Sequence, residues 1–231
     1  MNRRLESSAE TRQRMVEATA ALHYERGVSA TSLRDIAERA GVSVGTAYHH
    51  FPTYDDAIRA CGHYTQQIHP LPDSSIFARS ESRQDRIEAF VEAMGAFYAR
   101  CPWIEGIRAE RDRYAPIAEG IGALEGAMER LARLALHEER AAVPRAAAKA
   151  DTKRAQGVAR TLDSARERDA AALTALLALT DAAVFRILRE RGMPLEQACL
   201  TVAAAVLNAL PSTTGSHDGR RRRPSQPRRT S

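Results

Sequence analysis

The sequence predicts an all-α protein in which short N-terminal helices precede a larger helical body. Leucine and alanine dominate a composition with only 5% aromatic residues, and runs of β-branched residues are scarce. Both features favour helices over strands. Apolar residues recur at the three- and four-residue spacing of an amphipathic helix along much of the chain, and no segment suggests a pair of strands. The length of 231 residues allows two domains, each with its own hydrophobic core.

Helix caps divide the first 68 residues into four helical segments. Ser8 can cap the first segment, and Gly27 can end it because glycine adopts the left-handed conformation of a helix C-terminus. Ser32 and Asp35 have the spacing of a capping box. The predicted helices span residues 8–26, 32–40, 43–50 and 53–68, with Gly41 ending the second, Ser43 capping the third and Thr53 capping the fourth.

A linker marked by Pro70 and Pro72 precedes the longer helical patterns. Apolar periodicity predicts helical segments at residues 85–100, 103–114, 116–137, about 168–191 and 194–210. Residues 140–168 hold eight basic and three acidic residues with little periodicity, so we interpret them as a long loop or a solvated helix start. The predicted domains are residues 1–65 and 66–211, followed by a disordered Arg-rich tail at 212–231.

Charge and cysteine content restrict the class of protein only in part. The tail at 212–231 holds six arginines and one aspartate, which account for the whole net charge of +5. Cys61, Cys101 and Cys199 lack metal-ligand spacing and predict reduced thiols. The polar N-terminus and the shortness of the apolar stretches predict a soluble, cytoplasmic protein without a membrane span. We found no acid–base pair, nucleophile motif, metal set or cofactor motif, and we do not expect an enzyme.

The most informative stretch is residues 33–51, LRDIAERAGVSVGTAYHHF. Gly41 supplies a corner with positive φ between two short helices that must cross at close range. Val42, Ala47 and Phe51 can face the interior. The outer face then lacks acidic residues and consists of Ser43, Val44, Gly45, Thr46, Tyr48 and His49. Short and hydroxyl-bearing side chains suit entry into the major groove of DNA, so the pattern predicts a helix-turn-helix.

At these residues the sequence resembles the N-terminal domain of the TetR (tetracycline repressor) family of bacterial transcriptional regulators. The matching residues are RMVEA at 14–18, RGV at 26–28, SLRDIA at 32–37, AGVSVGTAY at 40–48, HF at 50–51 and DDAI at 55–58. The resemblance covers residues 10–65. It implies a three-helix helix-turn-helix domain followed by a helical effector-binding and dimerisation domain. It further implies a repressor that binds a palindromic operator in double-stranded DNA as a dimer and is released by a small molecule.

The resemblance also implies which residues contact DNA. Thr46 and His49 are expected near base edges. Four further residues are expected near phosphates, namely Ser32, Ser43, Tyr48 and His50. Arg34 is an additional candidate contact, and Val44 and Gly45 complete the expected surface.

Two positions depart from the family pattern. The family usually has a larger aliphatic residue where Ala47 stands, and a lysine where Tyr54 stands. Tyr54 is kept as a DNA-binding candidate because its hydroxyl could donate one neutral hydrogen bond to a phosphate. Positive charge from Arg3, Arg4 or the tail could replace the missing lysine, and the tail would then be a sequence-independent DNA arm. The alternative is a solvated tail with no such role.

The resemblance places a ligand cavity in the middle of the chain and a dimer interface at its end. Candidate ligand contacts are Phe97, Tyr98, Trp103, Tyr114 and Met128, although each could equally be an ordinary core residue. The helices at about 168–191 and 194–210 each carry an apolar face. We expect them to form a four-helix interface in a homodimer, and the alternative is packing within one chain.

Other functional interpretations are weaker. An ordinary αα-hairpin could replace the helix-turn-helix, and Tyr48 could be a core aromatic residue. His49 and His50 are disfavoured as joint metal ligands because adjacent helical residues point about 100° apart. A helical ligand-binding or interaction protein that has lost DNA binding is the main alternative function, and the absence of lysine at position 54 is its support.

Overall fold

The computed structural model describes residues 2–137 and 167–210, with side chains from residue 7 onward. Every regular element in these two ranges is helical, which confirms the predicted all-α class. The elements are α1 (Asn2–Arg26), α2 (Leu33–Ala40), α3 (Val44–His50), α4 (Tyr54–Ile68), a 3₁₀ turn (Ser74–Phe77), α5 (Arg83–Arg100), α6 (Ile104–Ala109), α7 (Ala115–Leu136), α8 (residues 167–179), α9 (Ala182–Glu190) and α10 (Leu195–Ala209). The predictions for residues 138–166 and for the tail at 212–231 lie outside the described residues.

Local caps define the N-terminal helices as predicted. Ser32 accepts the Asp35 backbone N–H, and the Asp35 carboxylate accepts the Ser32 backbone N–H in return. Gly41 ends α2 in the left-handed conformation with φ 68°. The predicted start of α1 at Ser8 is wrong, since the helix begins at Asn2. The polar residues before Ser8 contain no glycine or proline, so nothing in their sequence interrupts the helix.

The described helices build two hydrophobic cores. The first joins α1 to α4 and includes the fully buried Met15, Ile36 and Phe51. The second is centred on α5, which packs along α10 and α7. Tyr54, at the start of α4, packs against both cores, so it lies at the seam between them.

The last predicted helices differ from expectation at one point. The single helix predicted at 168–191 is wrong, because a turn at Thr180 and Asp181 separates α8 from α9. The Asp181 carboxylate accepts the Ala183 backbone N–H at 2.9 Å and thereby caps α9. The Thr180 hydroxyl donates to the Leu176 carbonyl at 2.6 Å, which satisfies a carbonyl at the end of α8.

The apolar character of this segment is greater than expected. By length and composition, residues 167–190 could cross a membrane, contrary to the expectation that every apolar stretch is too short. Leu173, Leu176 and Phe185 from the segment are buried in the second core. Only 33% of its most apolar window is buried within the chain, however, so much apolar surface is left uncovered.

Candidate nucleic-acid interface and adjoining cavities

Helix α3 presents one face to solvent and the other to the first core. Ala47 and Phe51 are buried, with exposures of 0% and 1%, in agreement with the prediction that they face inward. Tyr48 is 55% exposed and Val44 is 38% exposed, although both carry large apolar groups. Burial of Tyr48 as a core aromatic is therefore excluded. The exposed face also includes Ser43, Gly45 and His49, while Thr46 and His50 are half-buried.

The serine hydroxyls at the two helix starts act first as caps. Ser43 Oγ accepts the Thr46 backbone N–H at 3.0 Å and lies 2.8 Å from Thr46 Oγ1. Ser32 Oγ is similarly engaged with Asp35, at 2.5 Å from Oδ2. Both serines are exposed, so each retains lone pairs or protons that a partner outside the protein could reach.

Ion pairs neutralise some of the arginines beside α2. Arg26 lies 3.0 Å from the Asp35 carboxylate, and Arg39 forms a bidentate pair with Glu25 at 2.9 and 2.6 Å. The hydrogen bonds from Ser32 and Arg26 hold the pKa of Asp35 below its usual range. Arg34 is exposed and forms no ion pair among residues 7–137 and 167–210, so its charge is available at this surface.

Arg12 supplies a second cation close to α3. Its guanidinium carbon lies 5.0 Å from the centre of the Phe51 ring. The His50 ring, 5.5 Å from the His49 ring in an edge-to-face arrangement, lies on the same side. Burial, then the proximity of His49 and Arg12, lowers the pKa of His50. This shift favours the neutral form of His50, which can act as a hydrogen-bonding group.

Tyr54 does not present its hydroxyl to the exposed face of α3. The hydroxyl donates to the Val28 backbone carbonyl at 2.7 Å and lies 2.9 Å from His23 Nε2. Its ring also meets the Tyr114 ring edge-to-face, with centroids 5.9 Å apart. The structure thus places the residue predicted as a phosphate contact in a polar cluster between α1, α4 and α7.

The hydrogen bonds of this cluster fix the protonation of each member. Tyr54 gives its one proton to Val28, so His23 Nε2–H must donate to the Tyr54 oxygen. His23 Nδ1 is then an acceptor, and Cys61 Sγ lies 3.6 Å from it. Burial lowers the pKa of His23 to about 4 and raises the pKa of Cys61 to about 11, which agrees with a neutral imidazole and a protonated thiol. Sequence analysis missed His23, although a histidine on the apolar face of α1 was a visible signal.

Four of the five predicted ligand contacts are divided between separate cavities. Phe97 and Trp103 line a cavity of about 110 Å³ between α1, α4, α6 and α7. Tyr98 and Met128 line a second cavity of about 270 Å³. Tyr98 also borders a third cavity of about 230 Å³, beside α9. Tyr114 lines none of these three and packs against Tyr54 instead.

Comparison with known proteins finds regulators that are similar to this chain around α2 and α3. Residues 15–61, which include all of α2 and α3, match the family model described as bacterial regulatory proteins, tetR family. Over these residues the chain is similar to the bacterial regulators of the tetR family. TtgR of Pseudomonas putida, an HTH-type transcriptional regulator, is 34% identical over 88 residues, which are 38% of this chain and 40% of TtgR. KstR2 of Mycobacterium tuberculosis, an HTH-type transcriptional repressor, is 43% identical over 47 residues, 20% of this chain and 24% of KstR2.

Solved TetR-family structures share the fold well beyond the helix-turn-helix. A TetR-family regulator from Rhodococcus sp. aligns with a TM-score of 0.56 at 18% identity, over 87% of this chain and 98% of that one. NalD of Pseudomonas aeruginosa, the secondary repressor of the MexAB-OprM multidrug efflux pump, aligns with a TM-score of 0.52 at 18% identity, over 88% and 97%. Sequence similarity to the curated TetR regulators covers less than half of their length, whereas similarity of fold spans nearly the whole of the solved chains.

Proposed function

We propose that this chain is a cytoplasmic, dimeric transcriptional repressor of the TetR type that binds a palindromic DNA operator and is released by a small molecule. The observation that carries the proposal is the exposed face of α3, which has no acidic residue and is held by its own buried core. Each copy would place α3 in the major groove, and the two copies would reach grooves about 34 Å apart.

The base and phosphate contacts proposed here are those that the family resemblance implies. Thr46 and His49 are proposed to read base edges, and Ser32, Ser43, Tyr48 and His50 to contact phosphates or sugars. Val44 and Gly45 provide close approach of the backbone. We assign the cationic contacts to Arg34 and Arg12 rather than to position 54, because the Tyr54 hydroxyl is bonded within the protein.

Homodimer formation is supported by apolar surface on α9 and α10. Leu200 on α10 is 65% exposed and Ile187 on α9 is 42% exposed. Covering such a surface with a second copy would remove it from water and give a symmetric interface. Leu200→Glu should yield monomers in sedimentation velocity at micromolar concentration. Ile68→Glu is the matched control, since Ile68 is 44% exposed but lies on α4, which packs on α1 and α7.

Release by a ligand would require a connection between the two cores. Such a connection exists at Ser29, in the turn before α2, which bonds Glu110 through its hydroxyl and accepts from Arg113 Nη1 at 2.9 Å. Glu110 and Arg113 lie between α6 and α7. A ligand that repositions α6 or α7 would therefore act directly on the turn that precedes the helix-turn-helix, with a coupling free energy of about 1–3 kcal/mol.

The test is a binding titration with the DNA upstream of the chain's own gene. His49→Ala should weaken binding to that DNA by roughly tenfold or more, the expected loss for a base contact, and change binding to random DNA little. His63→Ala is the matched control, since His63 is an exposed histidine on α4. Equal losses on both DNAs would argue against base reading by His49. Lack of specific binding by the unaltered chain would favour a ligand-binding protein without DNA binding.

A further inference from the structure

The cavity of about 110 Å³ lies on the seam between the two cores. His23 and Tyr24 contribute from α1, and Ile58, Cys61 and Thr65 from α4, so one wall belongs to the unit that carries the helix-turn-helix. The opposite wall comes from α6 and α7 and from Trp103 just before α6. Trp103 stacks on Tyr24 at 4.5 Å between ring centroids with planes 14° apart, which joins the two walls.

The walls of this cavity are mainly apolar, and none of the described residues that line it is Asp, Glu, Lys or Arg. Two of its titratable groups are hydrogen-bonded within the protein: His23 bonds Tyr54 and lies 3.6 Å from Cys61 Sγ, and the Tyr24 hydroxyl bonds Thr65 Oγ1 at 2.9 Å. A second histidine, His69, contacts the Trp103 ring with centroids 5.8 Å apart. The other two cavities contrast with it, because Arg108 and Asp181 border one and Glu105 and Arg186 border the other.

We propose that this seam cavity is the effector site, and that it selects an uncharged, predominantly apolar aromatic molecule. A charged ligand would lose its hydration there without gaining an ionic partner. Aromatic and aliphatic walls favour a flat apolar body, with Trp103 and Tyr24 as stacking surfaces. This proposal about selectivity concerns only the binding of the ligand to the cavity. Any effect of the bound ligand on DNA binding rests on the function proposed above.

The size of the cavity explains how occupancy would be transmitted. Small-molecule sites usually enclose roughly 300 Å³ or more, so a ligand of ordinary size can be enclosed by this 110 Å³ cavity only if its walls move apart. One wall contains α4, whose first residue, Tyr54, is bonded to the turn at Val28. Displacement of α4 from α7 would thus reach the turn before α2 and change the spacing of the two α3 helices in a dimer.

The binding test uses two probes that share one aromatic skeleton. N-phenyl-1-naphthylamine is neutral, and 8-anilino-1-naphthalenesulfonate adds a permanent negative charge to the same ring system. Energy transfer from Trp103, the single tryptophan, reports binding close to the cavity. We expect saturable transfer to the neutral probe and roughly tenfold weaker binding of the sulfonate by the full, unaltered chain. Equal affinity for the two probes, or no transfer to the neutral one, would overturn the proposal.

Two glycines of α7 allow a matched test of location. A β-carbon at Gly120 meets no other atom within 4 Å, and Gly120 lines the cavity, so Gly120→Leu should fill the space. Gly122 has the same freedom but is exposed and does not line the cavity. Gly120→Leu should weaken the neutral probe by roughly tenfold or more, whereas Gly122→Leu should not. Gly62→Leu fills the cavity from α4 and provides a second variant, with circular dichroism confirming the fold of each.

The outcomes separate this proposal from the function on which its coupling depends. If the neutral probe binds and DNA does not, the site stands and the repressor function fails. If DNA binds but both filled variants retain the affinity of the unaltered chain for the probe, the site is wrong and the DNA-binding function stands. Where both hold, the neutral probe should weaken DNA binding by the unaltered chain and not by Gly120→Leu.

Discussion

Removing the hydroxyl of Tyr54 tests whether this residue is a structural seam contact. Tyr54→Phe keeps the ring against Tyr114 and deletes only the oxygen. The Val28 carbonyl then loses one of its two donors and keeps the Thr31 backbone N–H, whereas His23 Nε2–H loses its acceptor. The difference in the free energy of unfolding between Tyr54→Phe and the unaltered chain therefore measures the loss of these two hydrogen bonds, because the ring itself is retained.

The size of the loss follows from the burial of these partners. A hydrogen bond between neutral groups contributes about 1 kcal/mol net, and a buried group left without a partner costs about 1–3 kcal/mol. His23 is 5% exposed, so water reaches its ring poorly, whereas Tyr54 is only half-buried. We expect Tyr54→Phe to lower the free energy of unfolding by about 2 kcal/mol in total.

Urea denaturation followed by Trp103 fluorescence measures this loss. With a slope of about 2 kcal/mol per molar urea, the midpoint should fall by about 1 M. All variants need the same protein concentration, because dimer formation would add to the apparent stability. Tyr48→Phe is the matched control, since Tyr48 is 55% exposed and its hydroxyl has no hydrogen-bond partner among the described residues. Equal midpoints for Tyr54→Phe and the unaltered chain would refute the reasoning.

Three further positions give predictions for the same assay. The pKa of His23 is lowered to about 4 in the fold, so between about pH 6.5 and 4 this histidine is protonated in the unfolded chain but not in the folded one. The free energy of unfolding should therefore decrease by up to about 3 kcal/mol as the pH is lowered from 6.5 to 4. His23→Gln should remove most of this dependence. Gly95→Ala places a methyl group 2.7 Å from Cys199 Sγ and 2.9 Å from the Phe185 ring, and should cost about 1–3 kcal/mol. Gly41→Ala has open space but φ 68°, and should cost about 1 kcal/mol.

Gly122→Ala is the shared control for both glycine substitutions. It adds the same methyl group on an exposed helical surface with no atom within 4 Å, so stability should be unchanged or rise by about 0.5–1 kcal/mol. Stability losses as large at Gly122 as at Gly95 would contradict the packing argument. For His23, a stability profile with the same slope in His23→Gln would assign the pH dependence to other groups.

The helices around α3 could be predicted because their determinants are local. The caps formed by Ser32 with Asp35 and by Thr53 with Asp56 each join residues three positions apart, so the signal is contained in four consecutive letters. The turn between α8 and α9 has an equally local cap at Asp181, but the apolar periodicity continues across it and concealed the break.

Features that depend on distant residues could not be predicted. The direction of the Tyr54 hydroxyl is set by Val28 and His23, which are 26 and 31 residues away in the chain. Phe97 and Tyr98 were both predicted to contact ligand, yet they face different cavities. Adjacent residues on a helix point about 100° apart, so Phe97 and Tyr98 face different neighbours of α5. Which cavity each residue lines then depends on how those neighbouring helices are arranged in space.

The close approach of α5 and α10 at Gly95 makes the packing there denser than at the α4–α7 seam. Cys199 Sγ and the Phe185 ring lie 2.7 and 2.9 Å from the place of a β-carbon at Gly95, so α5 is packed closely against α9 and α10 there. Interlocked surfaces of this kind transmit force with little deformation, in contrast to a cavity that can widen. The proposed subunit contact therefore adjoins close packing, whereas the α4–α7 seam adjoins a cavity. A ligand that displaces α4 from α7 would therefore move the helix-turn-helix relative to α5 and α10, and would leave the proposed contact between the two chains unchanged.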